Sequence, residues 1–189
     1  MRHKYETRGI VLARTASGEA NAFVTVLTPS VGLIRAHAQG VRRPGAKLAA
    51  ALATFVESEL MLVRGKDGWR IAGAILFENW FVRMHSRAPR TRAARLSRLL
   101  LRLVAGEVQE PELFPIVTGF FEALATLPED AHDAAEVLAA LRVLAALGLD
   151  TGRIPGETSV CTPALLAEVK ARRAEYVARI NRGIDASGL

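Results

Sequence analysis

Leu33-Ile34-Arg35-Ala36-His37-Ala38-Gln39 alternates along an extended chain, with Leu33, Arg35, His37 and Gln39 on one side and Ile34, Ala36 and Ala38 on the other. That is the pattern of a half-buried strand with a polar outer face, and its surroundings decide the fold. After it, Gly40-Val41-Arg42-Arg43-Pro44-Gly45 breaks the alternation, and the Ala-rich stretch from Lys47 to Thr54 predicts a short helix. Two more strands are predicted over Glu57–Arg64 and Trp69–Leu76, joined by the hairpin signal Gly65-Lys66-Asp67-Gly68. Before it, Tyr5–Thr15 and Asn21–Thr28 read as strands, each followed by a turn, Ala16-Ser17-Gly18-Glu19 and Pro29-Ser30-Val31-Gly32.

Five strands with a short helix between the third and fourth is the order of an OB-fold, a partly open five-stranded barrel. SH3-like barrels share the strand count and usually lack that helix. OB-folds commonly bind oligonucleotides across strands two and three, although a fold alone does not name its ligand. From about Pro89 the hydrophobic period becomes helical. Leu96, Leu99, Leu100, Leu103 and Val104 share one arc, and Arg92, Arg95, Arg98 and Arg102 the adjoining one, up to Gly106. A second helix is expected over Leu113–Thr126 and a third over Asp130–Leu147, capped by Asp130 or Asp133 and stopped by Gly148. A loop from Leu149 to Pro163 precedes a last helix, capped by Thr162, that runs through Ile180 to a short tail, 181–189. The fold class is therefore α+β, with an OB-fold domain expected at 1–78 and a helical domain at 79–189.

The chain has 189 residues, half of them hydrophobic, which is enough for a real core and excludes disorder. Its formal charge of +6 conceals two unlike halves. Residues 1–102 carry 18 Lys/Arg against 6 Asp/Glu, a net of +12; residues 103–189 carry 7 against 13, a net of −6. The basic half reads as a surface that meets a polyanion, nucleic acid first, with an unevenly solvated surface as the alternative. One cysteine excludes internal disulfides and Cys-based zinc fingers or ribbons. No apolar run approaches bilayer length and no signal peptide opens the chain, so a cytoplasmic protein without a membrane contact is expected.

No phosphate-binding loop, dinucleotide fingerprint, metalloprotease motif or nucleophile elbow occurs. His3, His37, His85 and His132 are scattered, Cys161 has no motif tied to it, and Glu57 and Glu59 share a strand face that reads as a solvated edge. The expectation is a protein that is no enzyme and takes no cofactor. A binding constellation is better supported. Arg35 and His37 on one strand face, Arg42 and Arg43 in the loop and Lys47 at the helix start form a basic cluster. Arg8 and Arg14 fall on a common side by parity. The aromatics that could stack bases are few: Tyr5, Phe23, Phe55 and Trp69, with Phe23 read as core and Trp69 open to either reading. Backbone-tracking, sequence-indifferent binding is expected.

Tyr5-Glu6-Thr7-Arg8-Gly9-Ile10-Val11-Leu12, Gly18-Glu19-Ala20, Val26-Leu27-Thr28-Pro29 with Gly32-Leu33, and above all Ala38-Gln39-Gly40-Val41-Arg42-Arg43-Pro44-Gly45 with Lys47-Leu48 resemble the RecO family of bacterial recombination mediators. Leu144-Ala145-Ala146-Leu147-Gly148-Leu149 is similar to that family's helix before its zinc loop. The resemblance implies an N-terminal OB-fold joined to a helical domain. It also implies binding of single- and double-stranded DNA, strand annealing, and partnership with RecR and with the single-stranded-DNA-binding protein SSB in loading RecA. It assigns DNA contact to Arg35, Arg42, Arg43 and Lys47, and more weakly to Arg8 and Arg14. Many members carry a four-Cys zinc module where this chain reads Asp150 to Ser159 with only Cys161 nearby, so no zinc is expected. In the family the acidic SSB tail docks in an apolar groove of the helical domain beside basic residues, for which Arg142 and the Arg95, Arg98 and Arg102 face are the candidates. An RNA-binding OB module and a protein–protein adaptor remain as alternatives.

Overall fold

The structure is a computed structural model and describes residues 3–104, 106–107, 109–156 and 159–188. Five strands, β1 (His3–Ser17), β2 (Asn21–Thr28), β3 (Gly32–Ala38), β4 (Val56–Gly65) and β5 (Gly68–Asn79), close into a barrel in the order β1-β2-β3-β5-β4, and β4 returns to β1. All neighbours are antiparallel except β3 and β5, which meet in parallel through Ala36 opposite Trp69 and His37 opposite Arg70. This is the OB-fold order that the strand pattern predicts. Alternate residues fill the interior: Ala22, Val24 and Val26 from β2, Ile34, Ala36 and Ala38 from β3, Leu60 and Leu62 from β4, Trp69 and Ile71 from β5. Each large aliphatic among them contributes roughly 1.5–3 kcal/mol by leaving water.

β1 serves two partners, pairing β4 through His3–Ile10 and β2 through Ile10–Ser17. Gly9 sits at the handover. A Cβ there would lie 2.5 Å from Val26 Cγ1 and 2.8 Å from Leu60 Cδ1, so only glycine lets the two walls converge.

The stretch 47–54 is a chain of turns, not the helix its composition predicts. Ala49 N–H donates to Ala46 O and Ala53 N–H to Ala50 O, with a single helical bond from Leu52 N–H to Leu48 O. Left-handed Gly45 (φ 71°) and Phe55 (φ 63°) bracket a segment too short for helix propagation to offset nucleation. Packing sets its course instead, because Val41 and Leu52 plug the barrel core.

The two acids of β4 also depart from expectation. Glu59 is exposed, but Glu57 is only 2 % exposed, because a bulge between Glu57 and Ser58 breaks the alternation. Glu57 Oε2 accepts from Trp80 Nε1 at 3.1 Å, and Oε1 faces Arg8 at 3.4 Å. Trp80 opens a four-residue helix, α1 (Trp80–Arg83), so this carboxylate ties α1 to the barrel.

The chain divides into two compact units, one of residues 1–83 and 106–111, the other of 84–105 and 112–189. The second is helical: α2 (Arg87–Leu103), α3 (Leu113–Thr126), α4 (His132–Ala146) after a 3₁₀ turn at Glu129–Ala131, α5 (Pro163–Ala171) and α6 (Arg173–Ala186). α4 touches each of the others and is buried on nearly every side, as a central helix must be. α3 matches its expected span, whereas α2 stops at Leu103, short of Gly106. Neither Asp130 nor Asp133 caps α4, whose N-cap is Ala131; Asp133 instead accepts from Arg173 Nε at 2.6 Å. Thr162 caps α5 as expected, its hydroxyl accepting from Leu165 N–H. The last helix breaks at Arg172 and then continues to Ala186, through the stretch read as a tail. Gly183 makes this possible: a Cβ there would stand 2.9 Å from Leu149 O, so the bare backbone lets α6 press close. Of the expected loop at 149–163, Glu157 and Thr158 lie outside the described residues. No helix among the described residues is long and apolar enough to cross a membrane.

Burial raises the pKa of Glu57 above the ordinary carboxylate value, against the lowering effects of the Trp80 bond and the Arg8 charge. A raised folded pKa adds stability that is complete below the unfolded pKa and disappears as pH climbs through the folded one. Glu57→Gln keeps an acceptor for Trp80 and removes the charge. Its stability relative to the native chain should therefore rise between pH 4 and pH 7.5 in paired urea titrations. A constant or falling difference would contradict this assignment.

Candidate nucleic-acid interface

Where β3 meets β5, the outward residues of three strands converge. Phe23 on β2 lies opposite His37 on β3, with ring centroids 5.2 Å apart. Arg35, two residues back along β3, lays its guanidinium carbon 4.1 Å from the centroid of the Phe23 ring. His37 is in turn registered with Arg70 at the start of β5. The β4–β5 hairpin stands beside this group, and together they border a groove of about 870 Å³ whose lining includes Phe23, His37, Arg64, Lys66, Asp67 and Arg70.

Phe23 was expected in the core. It faces outward instead, half-buried, because the interior positions of β2 are Ala22, Val24 and Val26. Trp69 goes the other way: 8 % exposed, it belongs to the interior, with the Tyr5 ring edge-on at 5.1 Å and Arg64 5.1 Å from its centroid. Phe55 is buried at the foot of the turn segment. Phe23 is thus the aromatic that shares the outer face with His37 and the cations.

A second group of cations adjoins it where β1 turns into β2 and β3 ends. Arg42 Nη1 donates to Gly18 O at 2.6 Å, its own N–H donates to Ala20 O, and Gly40 N–H donates to Asn21 Oδ1 at 2.8 Å. These bonds fasten the 40–45 loop to the β1–β2 turn and fix where Arg42 and Arg43 emerge. Arg35, Arg42, Arg43, Lys47, Lys66 and Arg70 are all exposed, and none forms an ion pair among the described residues. Arg64 pairs with Glu107. Acids at this end include Glu19 in the β1–β2 turn and Asp67 in the hairpin.

Arg8 and Arg14 do not share a side. A bulge in β1 between Val11 and Ala13 inserts one residue and reverses the parity. Arg8 stands opposite exposed Glu59, its guanidinium 3.5 Å from the Phe77 centroid and 3.4 Å from Glu57, away from the groove. Arg14 stands opposite interior Val24, and its Nη2 reaches Val41 O at 3.4 Å, so it closes the barrel end. Sequence reasoning also passed over Arg64, Lys66 and Arg70. The signal was present in the basic residues flanking the Gly65–Gly68 hairpin, since the loop between strands four and five is a recurrent OB-fold ligand contact.

The arginines of the helical unit divide by circumstance. Arg95 forks onto Glu136 at 2.7 and 2.9 Å, and Arg92 joins the same carboxylate. Arg98 and Arg102 are exposed and form no ion pair among the described residues. Arg142, expected as a partner contact, is 5 % exposed and donates from Nη2 to Val160 O at 3.0 Å and to Pro155 O at 3.3 Å. Burial lowers its pKa. The same burial raises the Cys161 thiol, which the neighbouring guanidinium partly counteracts. Arg179 holds the other end of this loop through a half-buried pair with Asp150 and a bond to Arg153 O. A four-sulfur metal site does not fit here, because Cys161 is the chain's single cysteine and arginines already hold the loop. Among the described residues no three His, Cys, Asp or Glu side chains gather to hold a metal ion.

Residues 1–76 match the family model described as recombination protein O, N terminal. The chain is similar to proteins named DNA repair protein RecO. The Dehalococcoides mccartyi relative is 30% identical over 122 residues, 65% of this chain and 48% of the relative. The Acaryochloris marina relative is 34% identical over 116 residues, 61% and 40% respectively. The Synechocystis relative is 41% identical over 71 residues, 38% and 26%. These matches span about half the length of the relatives or less.

Truncating Arg142 strands two loop carbonyls. Arg142→Ala should cost about 2–4 kcal/mol in urea denaturation, whereas Arg98→Ala and Arg102→Ala should stay within ~0.5 kcal/mol. A cost below about 1 kcal/mol for Arg142→Ala would contradict the clamp.

Proposed function

Because its first 76 residues belong to the RecO family as an N-terminal domain of that family, we propose that this chain is a DNA-binding mediator of recombinational repair. It binds single- and double-stranded DNA on the β2–β3–β5 face of the barrel, promotes annealing of complementary strands, and helps load RecA onto SSB-coated DNA. It breaks and forms no covalent bond and works in the cytoplasm. The observation that carries this reading is the convergence at the barrel's closure of half-buried Phe23 and His37 with exposed cations that have no acidic partner among the described residues: Arg35 and Arg70, Lys66 in the adjacent hairpin, and Arg42, Arg43 and Lys47 in the neighbouring loop.

The mechanism is electrostatic. Two strands approaching each other repel through phosphate charge that counterions screen only in part, and a cationic face that holds both lowers that repulsion while the bases search for register. Each phosphate contact releases condensed counterions, so binding weakens steeply as salt rises. Arg42, held by Gly18 O, keeps its remaining N–H groups for phosphate in a fixed direction. In the helical unit the exposed Arg98 and Arg102 are the cations best placed to receive the acidic SSB tail, and the contact with RecR belongs to the same proposal.

Arg43→Ala, Lys66→Ala and Arg70→Ala together remove three phosphate contacts. The slope of log K against log salt for a single-stranded oligonucleotide should flatten by about two units, at ~0.7 per contact. The same triple variant should lose salt-sensitive acceleration of strand annealing. An unchanged slope would take these residues out of the site. Preference for RNA over DNA of equal length would point to an RNA-binding module, since only a reader of the 2′-hydroxyl separates the two. Absence of nucleic-acid affinity at low salt would replace the proposal with a protein adaptor.

A further inference from the structure

On the assumption that this face binds nucleic acid, the stacked pair Arg35–Phe23 points to how single strands are told from duplex. Phe23 is half-buried on the outer face of β2. Arg35 covers it, with the guanidinium carbon 4.1 Å from the ring centroid, and the His37 ring flanks it, tilted by 55° at 5.2 Å. Arg35 is itself exposed and forms no ion pair among the described residues, so its guanidinium is held there by the ring rather than by an acid.

We propose that an unpaired base displaces Arg35 from the Phe23 ring, stacks there, and frees Arg35 to bind the adjoining phosphate, making Phe23 the residue that favours single strands over duplex. The exchange follows from two general energies. An exposed cation over a ring is a weak contact, and a base stacked on an aromatic ring is a stronger one. The released guanidinium is not left idle, since a phosphate accepts its fork in a charge-assisted pair. A duplex has its bases stacked inside and offers the ring nothing. It meets the same face through phosphates alone and leaves Arg35 where it is. His37, opposite Phe23 on the neighbouring strand, limits access to one edge of the ring and so favours one base at a time.

The test compares a labelled oligothymidylate with a labelled blunt duplex in anisotropy titrations at one salt concentration. Phe23→Leu keeps apolar bulk and removes the π face; it should weaken oligothymidylate binding roughly tenfold, a loss of ~1.4 kcal/mol, and leave duplex affinity within about twofold. Phe23→Tyr should retain single-strand binding. Phe23→Trp should add emission to that of the native Trp69 and Trp80, and this increment over the native chain should be quenched by oligothymidylate and not by duplex, which tests the stack even where Phe23→Leu fails to fold. Equal losses on both ligands, no loss on either, or a Phe23→Trp signal indifferent to the strand state would overturn the proposal while leaving the binding face itself standing. A native chain that binds neither ligand would overturn the binding face, and this inference with it.

Discussion

The barrel closes through two residue pairs, Ala36 with Trp69 and His37 with Arg70. The proposed nucleic-acid face depends on that short parallel contact. It brings the start of β5, and with it the β4–β5 hairpin, against the outer residues of β2 and β3. It also buries the Trp69 ring as the interior plug next to Ile71. Without it, β2 and β3 would present Phe23, Arg35 and His37 on an open edge, and Lys66 and Arg70 would belong to a separate hairpin. The closure is an OB-fold property; the side chains it gathers belong to this sequence.

Charge is distributed by the same logic in both units, with opposite results. In the helical unit the arginine face of α2 meets acids on α4, where Glu136 takes both Arg92 and Arg95, and Asp133 of α4 also takes Arg173 of α6. Buried Arg142 and half-buried Arg179 direct their donors at the loop that begins at Leu149. Arg92, Arg95, Arg172, Arg173 and Arg179 there are neutralised by carboxylates, whereas Arg98 and Arg102 form no ion pair among the described residues. In the barrel unit Arg35, Arg42, Arg43, Lys47, Lys66 and Arg70 have no carboxylate partner among the described residues, and their field is available to a ligand. A net charge per half, read from composition, cannot separate these cases. Pairing decides which cations count.

Much of this was legible in the sequence where local pattern rules. β2 falls on its expected residues, the strand order follows from turns and alternation, and Thr162–Pro163 announces the start of α5. The readings that failed did so at points where one residue changes the count. The bulge at Leu12 turns Arg14 inward, and the bulge at Glu57 buries a carboxylate that parity had placed beside Glu59 in solvent. No local signal marks either bulge, because each is set by how β1 and β4 must coil to share partners. Phe23 was misassigned for a related reason. An aromatic in a strand reads as core, and only the alternation of Ala22, Val24 and Val26 against it shows that the small and branched residues took the interior. The Ala-rich stretch at 47–54 shows propensity overruled by confinement between Gly45 and Phe55.

The most direct measurement of the central claim is hydrogen–deuterium exchange of the whole chain with and without a single-stranded oligonucleotide at low salt. Exchange should slow at residues 35–47 and 64–70, the segments that carry Arg35, the Arg42–Lys47 loop and the hairpin, with little change at 75–82, where Ile75, Phe77, Phe81 and Val82 are exposed. Protection centred on 75–82, or confined to the helical unit, would contradict it.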